Sequence, residues 1–177
     1  MTQIYKVGFE TADEGGAGTD AKIRLTLKGS RNISQTFGPR IFLGDPEHFE
    51  QGNTPRRGQD VFDLDTGDYL GDLKYLYLQM DDRNTINNPA WRLNYIEVST
   101  TVGEENKRWT FPVNKWIGTE KDPHNANIQV NNIVIDIDGV RNEGVTMEQF
   151  KQIGEPGGLQ PKQNGKAGKA VITDEEE

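Results

Sequence analysis

Cysteine is absent from this sequence of 177 residues. Its absence excludes disulfide bonds, a cysteine nucleophile and cysteine-ligated zinc or iron–sulfur sites, although it does not determine the compartment. Histidine is scarce as well, and neither His48 nor His124 lies in a spacing typical of a zinc site or a nucleophile motif. No segment therefore indicates catalysis, and we expect a protein that is not an enzyme.

Long apolar runs and an excess of positive charge are both missing. No apolar stretch approaches the roughly 20 residues needed to span a bilayer, and the N-terminus has no basic segment followed by an apolar one. We therefore expect a soluble protein without a signal peptide, either cytoplasmic or exported without a leader. The 20 Lys and Arg against 28 Asp and Glu give a net charge of −8, which argues against nucleic-acid binding.

The residues that are present follow the pattern of short β-strands. Apolar and polar residues alternate from Tyr5 to Phe9 and from Lys22 to Lys28, a period of two that places apolar side chains on one face. Between Trp91 and Val98 the apolar positions shift from odd to even numbers, which predicts a β-bulge near Asn94–Tyr95. Turn-rich segments separate these strands, so the pattern favours an all-β antiparallel sandwich.

Six short motifs follow one another in order along the chain. They are Gly-Ala-Gly-Thr-Asp at 16–20, Phe-Glu-Gln-Gly at 49–52, Asp-Val-Phe at 60–62, Leu-Gly-Asp-Leu at 70–73, Trp-Arg-Leu with Ile-Glu-Val at 91–98, and the segment at 109–116. Together they resemble the motifs of PLAT (lipoxygenase-homology) domains. Each motif is weak alone, but six in this order over residues 4–117 are much more specific. The resemblance implies an eight-stranded antiparallel β-sandwich of PLAT type over residues 1–118, acting as a binding module.

The last third of the chain lies beyond this resemblance. Residues 119–154 are predicted to form an extension, with one or two strands at Asn127–Asp138 and a short helix at Val145–Gly154. Thr146 is the predicted N-cap of that helix and Gly154 its C-cap. Residues 155–177 are rich in Gly, Pro, Gln and Lys and end in acidic residues, which predicts a disordered tail.

The resemblance also implies calcium as a cofactor. PLAT relatives that bind calcium do so in loops at one end of the sandwich, and this ion prefers oxygen ligands. Carried over by position, the implied metal ligands are the backbone oxygens of Gly18 and Thr19 and the side chains of Asp20, Asp45, Glu47, Glu50, Asp81 and Asp82. The alternative is that these acids cap turns and face water. Asp60 is expected to brace a loop rather than to bind metal.

One loop departs from the family pattern. The segment between Gly52 and Asp60 is several residues longer than the usual spacing in PLAT domains. Arg56 and Arg57 are therefore predicted to lie on a protruding loop, where they offer a partner-binding surface.

Two modes of association remain open at this point. In the first, calcium neutralises the acidic loops and joins them to a phospholipid surface or a protein partner, while loop residues such as Ile41, Phe42 or Ile86 insert shallowly into lipid. In the second, the chain is a structural or assembly subunit that docks on a protein partner through its C-terminal extension, without metal. A homo-oligomer or a larger assembly is compatible with both modes.

Overall fold

A computed structural model describes residues 2–42, 48–81, 90–119 and 129–161 of the chain. Within these ranges, nine strands form two antiparallel sheets, ordered β3-β1-β5-β6-β7 and β2-β4-β8-β9. The strands are β1 (Ile4–Thr11), β2 (Lys22–Gly29), β3 (Val61–Asp65), β4 (Leu73–Asp81), β5 (Trp91–Val102), β6 (Glu105–Thr119), β7 (Gln129–Val130), β8 (Asn132–Asp136) and β9 (Gly139–Glu143). Since β7 has only two residues, each layer contains four main strands, and the predicted eight-stranded sandwich is confirmed.

The predicted β-bulge lies in the middle of the five-stranded sheet. The pairing of β5 with β6 shifts register between Leu93 and Tyr95, and the pairing of β5 with β1 shifts at the same place. One extra residue reverses the alternation of side chains along a strand. As a result, Leu93 before the bulge and Ile96 after it both point into the core, and neither is exposed to solvent.

Aromatic rings close the core around Phe9 of β1. The ring centroid of Phe9 lies 5.7 Å from Phe42, 5.2 Å from Phe49, 5.9 Å from Phe62 and 5.9 Å from Trp91. Three of these contacts are edge-to-face, an arrangement that the quadrupoles of aromatic rings favour. The fully buried Trp91 also donates its indole N–H to Thr11 Oγ1 at 2.8 Å, so this cluster joins β1, β3 and β5 to the segments that carry Phe42 and Phe49.

Two strands of the four-stranded sheet come from the C-terminal third of the chain. β8 pairs with β4, with Ile133 opposite Leu78 and Ile135 opposite Leu76. Both isoleucines are fully buried in the sandwich core, and β9 completes a hairpin with β8. The sheet therefore continues past residue 118, where the sequence analysis placed the end of the sandwich, because β8 supplies apolar side chains that complete its inner face.

The described residues from Val145 onward, 145–161, form a second compact unit. It contains the helix α1 (Met147–Gln152), whose N-cap is Thr146 as predicted. The Thr146 hydroxyl accepts from the Gln149 backbone N–H, and the Gln149 side chain accepts from the Thr146 backbone N–H. Its C-cap is Ile153, one residue before the predicted cap Gly154.

The predicted disordered tail falls mostly outside the described residues. Residues 155–157 form a turn, with the Gly158 N–H donating to the Glu155 carbonyl, residues 158–161 have no regular structure, and residues 162–177 are not described. In the described parts of the chain, no helix combines the length and the apolar character of a membrane span.

Substitution of Phe9 tests how much the aromatic cluster contributes to the stability of the fold. We expect Phe9→Ala to lower the free energy of unfolding by about 3–5 kcal/mol, because it removes a buried ring and leaves a cavity between four others. Phe9→Leu keeps most of the volume and is expected to cost less than Phe9→Ala. Urea unfolding of the three proteins measures the difference, and equal losses for the two variants would contradict the packing argument.

Candidate functional site

The described segments that carry the predicted calcium ligands Gly18, Thr19, Asp20, Glu50 and Asp81 lie at one end of the sandwich. The register places Lys22, at the start of β2, opposite Asp81, at the end of β4, and Thr11, at the end of β1, opposite Leu93 near the start of β5. We call this end the rim. Among the described residues it comprises 12–21, 38–42, 48–53, 81 and 90.

A close backbone contact joins two of the rim segments. The Thr19 N–H donates to the Phe49 carbonyl at 3.1 Å. A Cβ atom on Gly18 would lie only 2.8 Å from the same carbonyl oxygen and 3.3 Å from the Glu50 Cα. The approach is therefore possible only with glycine at position 18. It brings the Gly-Ala-Gly-Thr-Asp motif against the Phe-Glu-Gln-Gly motif, as a shared ligand site requires.

The structure describes five of the eight predicted metal ligands. Asp20 and Glu50 are exposed on the rim, Asp81 is half-buried at the end of β4, and Gly18 and Thr19 lie at the contact between the two motifs. Asp45, Glu47 and Asp82 lie outside the described residues. Within the described ranges, no three Asp, Glu or His side chains are grouped closely enough to hold a metal ion.

The chemistry of the donors nevertheless suits calcium. The candidate ligands are carboxylates and backbone carbonyls, the oxygen donors that this hard cation prefers over nitrogen or sulfur. The carbonyls of Gly18 and Thr19 are the candidate backbone ligands, and Asp20, Glu50 and Asp81 are candidate side-chain ligands that are not grouped around one point in this structure. The assignment of individual ligands stays a prediction.

Asp60 fastens the rim segment that carries Glu50. Its buried carboxylate accepts from the Phe49 N–H at 2.9 Å and lies 3.1 Å from His48 Nδ1, while its backbone carbonyl accepts from the Phe9 N–H at 3.1 Å. Asp60 is only 4% exposed, so the protein's own donors occupy its oxygens. The expected bracing role of Asp60 is confirmed.

The apolar residues near the rim differ from the expectation for lipid insertion. Ile41 is 41% exposed and accessible to a partner. Phe42 is 1% exposed, because its ring packs against Phe9 and Phe62. The expectation that Phe42 inserts into lipid is therefore wrong, and Ile86 lies outside the described residues.

Arg56 and Arg57 lie in a short 3-10 helix, Pro55–Arg57, on the outer face of β1. A Cβ atom on Gly8 would lie 2.7 Å from Pro55 Cγ, so the absence of a side chain at position 8 lets the turn lie directly on the sheet. Both arginines are exposed, although the turn lies on the sheet rather than protruding from it as predicted. Their role in binding a partner stays a prediction.

Glu10 holds this turn in place, a role that its position in the sequence does not indicate. Glu10 accepts from Thr54 Oγ1 at 2.8 Å and from Asn94 Nδ2 at 3.0 Å. Partial burial acts to raise the pKa of Glu10, but hydrogen bonds from Asn94, Thr54 and Tyr95 and the nearby charge of Arg56 outweigh it, so the pKa is lowered from its ordinary value of 4.5. The shift arises from contacts between distant segments, which no local pattern reveals.

A comparison with known protein families agrees with this architecture. The model of the PLAT/LH2 domain matches residues 5–131, most of the chain. The chain belongs to the PLAT/LH2 domain family. This PLAT domain is 35% identical over 118 residues to mouse polycystin-1-like protein 3, covering 66% of the chain. It is 28% identical over 116 residues to human lipoxygenase homology domain-containing protein 1, covering 64%. The chain spans only 5% of the length of each relative.

Solved lipoxygenase structures share the fold of this PLAT domain. A variant LOX structure superposes with a TM-score of 0.57 at 21% identity, over 76% of this chain and 16% of that one. Coral 8R-lipoxygenase, for which calcium activation through a C2-like domain is described, gives a TM-score of 0.56 at 20% identity, over 75% of this chain and 16% of that one. Identities this low show the fold alone.

Substitution of Asp60 tests its bracing role in the PLAT domain. We expect Asp60→Ala to lower the free energy of unfolding by about 1–3 kcal/mol, because it leaves the buried Phe49 N–H without its acceptor. Asp60→Asn keeps an oxygen that can accept this bond and is expected to cost less. Urea unfolding distinguishes the two variants, and an Asp60→Ala protein as stable as the wild type would contradict the role.

Glu10 gives a pH-dependent prediction. The lowered pKa means that the folded state favours the charged carboxylate, so its stabilisation is complete above the unfolded pKa and declines as pH falls through the folded pKa. We expect Glu10→Gln to destabilise the domain at neutral pH, and the difference from wild type to narrow below pH 4.5. Urea unfolding over a pH series measures the gap. If the stability difference between wild type and Glu10→Gln stays the same down to the lowest pH at which the domain folds, the carboxylate charge does not contribute.

Proposed function

We propose that this PLAT domain is a non-catalytic binding module whose rim associates with a partner surface with the help of calcium. The observation that carries the proposal is the contact of Gly18 and Thr19 with the Phe49–Glu50 backbone. This contact places two oxygen-rich segments side by side, and the β2–β4 register adds Asp81 at the same end.

The charge of the rim explains why a cation would be needed. Asp20, Glu50 and Asp81 are acidic, and the whole chain carries a net charge of −8. Such a surface repels an anionic partner. Bound calcium would supply positive charge and leave coordination positions for phosphate or carboxylate oxygens of the partner. The calcium activation described for coral 8R-lipoxygenase supports this mode by analogy.

The partner of the rim is either a phospholipid surface or a protein. The exposed Ile41 gives the rim an apolar contact suited to shallow insertion between headgroups. The same residue could pack against a protein. The absence of Phe42 from the exposed surface reduces the apolar area available for lipid.

The metal-free assembly mode has less support. β8 pairs with β4 on one side and with β9 on the other, so it has no edge left for another subunit, whereas β9 is the end strand of the described sheet. Docking without metal would then depend on the edge of β9 or on the unit that begins at Val145.

Thermal melting with and without calcium tests the proposed metal site. Because a ligand stabilises the state that binds it, calcium at about 100 times its dissociation constant would add about 2.7 kcal/mol of stability and raise the melting temperature. We expect Asp20→Asn and Asp81→Asn to reduce this increase. Asp68→Asn is the matched control, because Asp68 is an exposed aspartate in the loop between β3 and β4, at the opposite end of the sandwich.

Two outcomes would overturn the calcium site. One is a melting temperature unaffected by millimolar calcium, and the other is an equal loss of response in Asp68→Asn and in the rim variants. Flotation with phosphatidylserine-containing vesicles then separates the partners. Calcium-dependent flotation that is weakened by Ile41→Ser supports a lipid surface, whereas a calcium-binding protein that stays in the buffer indicates a protein partner.

A further inference from the structure

A polar cleft of about 450 Å³ lies beside the turn that carries Arg56 and Arg57. Its lining includes both arginines, Glu10 and Asn94 from β1 and β5, and Asp13 from the rim. We call this feature the arginine cleft. It opens on the outer side of the five-stranded sheet, because Glu10 alternates with the inward-facing Phe9.

In the arginine cleft the acidic side chains already have hydrogen-bond donors, whereas the two arginines have no acidic partner within ion-pair distance among the described residues. Glu10 already accepts hydrogen bonds from Thr54 and Asn94, and Asp13 Oδ1 accepts from Gln51 Nε2 at 3.1 Å. Across the described ranges, by contrast, neither Arg56 nor Arg57 forms an ion pair. Each guanidinium carries five N–H donors and no acceptor. The cleft therefore presents unused donors, and its ligand must supply acceptors.

The turn that carries these donors is held at several points. The Thr54 side chain accepts from the Arg56 N–H, and the Gly58 N–H donates to the Pro55 carbonyl from a left-handed conformation at φ 72°. Gln59 Oε1 accepts from the Thr54 N–H at 3.1 Å. Together with the Glu10 hydrogen bond and the contact of Pro55 with Gly8, these interactions order the backbone before any ligand arrives. Ordering in advance reduces the entropy cost of binding.

The geometry of the turn indicates the shape of the ligand. Adjacent residues in a 3-10 helix leave its axis about 120° apart, because this helix has three residues per turn. The side chains of Arg56 and Arg57 thus start in different directions, although both line the same cleft. Two acceptor groups separated along a chain match this arrangement better than a single phosphate. Arg also pairs with planar carboxylates through two parallel hydrogen bonds.

We propose that the arginine cleft binds an extended acidic segment of a partner protein, with carboxylates paired to Arg56 and Arg57. The inference rests on the proposed binding function but not on calcium, since the candidate ligands Asp20, Glu50 and Asp81 do not line the cleft. A peptide fits a recess on the side of the sheet. A flat bilayer does not enter this recess, although the rim residue Asp13 lines one side of it. The turn itself lies over Gly8, three residues and about 10 Å along β1 from Thr11.

Fluorescence anisotropy with a labelled peptide of alternating glutamate and serine tests the proposal. We expect the intact chain to bind this peptide in the presence of EDTA, with affinity that falls as salt rises. A peptide with glutamine in place of glutamate is expected to bind much more weakly. Arg56→Ala/Arg57→Ala should lower the affinity about tenfold, because two charge-assisted contacts are lost.

The matched control is Arg31→Ala/Lys74→Ala, which removes the same charge from exposed positions outside the arginine cleft. We expect its affinity to stay near that of the wild type. If both double variants lost the same affinity, the effect would be one of net charge rather than of the cleft, and the proposal would be overturned. Equal binding of the two peptides would overturn it as well, as would a loss of phosphatidylserine vesicle binding without a loss of peptide binding. The remaining outcome separates the two proposals. If the peptide binds in EDTA but calcium does not raise the melting temperature, the calcium site is overturned and the arginine cleft is not.

Discussion

The burial of Phe9 among four other rings is the constraint on which the rest of this structure depends. Phe9 sits on β1, Phe62 on β3 and Trp91 on β5, so the cluster holds three strands of one sheet together. Phe42 and Phe49 belong to the rim segments and pack against the same ring. These buried rings hold the rim segments against the core. An acidic residue next to one of them, such as Glu50 beside Phe49, is therefore positioned without being buried itself.

A second chain of contacts begins at the β-bulge. The bulge leaves Asn94 outside the regular pairing of β5, and its amide donates to Glu10 on β1. Glu10 in turn accepts from Thr54, which caps the turn of Arg56 and Arg57. The bulge that turns both Leu93 and Ile96 toward the core thus also helps to position a turn on the surface. The two proposed binding regions depend on different parts of the fold, the rim on aromatic packing and the arginine cleft on polar contacts.

Much of the fold was predictable because β-structure leaves a local signature. The alternation of apolar residues predicted the strands, and the shift of that alternation between Trp91 and Val98 located the bulge. The six motifs predicted the family, and the Thr146 cap followed from a short local pattern. The prediction that Phe42 inserts into lipid was wrong, because the local sequence around a phenylalanine in a loop does not show whether its ring faces solvent or the core. The place of β8 beside β4 was likewise not readable, because strand order depends on pairing between distant segments.

The amino-acid sequence by itself determined the sandwich, the composition of the rim and the presence of two arginines in a lengthened loop. Each of these properties follows from residue type and local spacing. Tertiary structure decided which backbone segments meet, as at Gly18 and Phe49, and which charges are already satisfied, as at Glu10 and Asp60. The physical reason is that hydrogen bonds and close approaches between residues far apart in sequence exist only after the chain has packed.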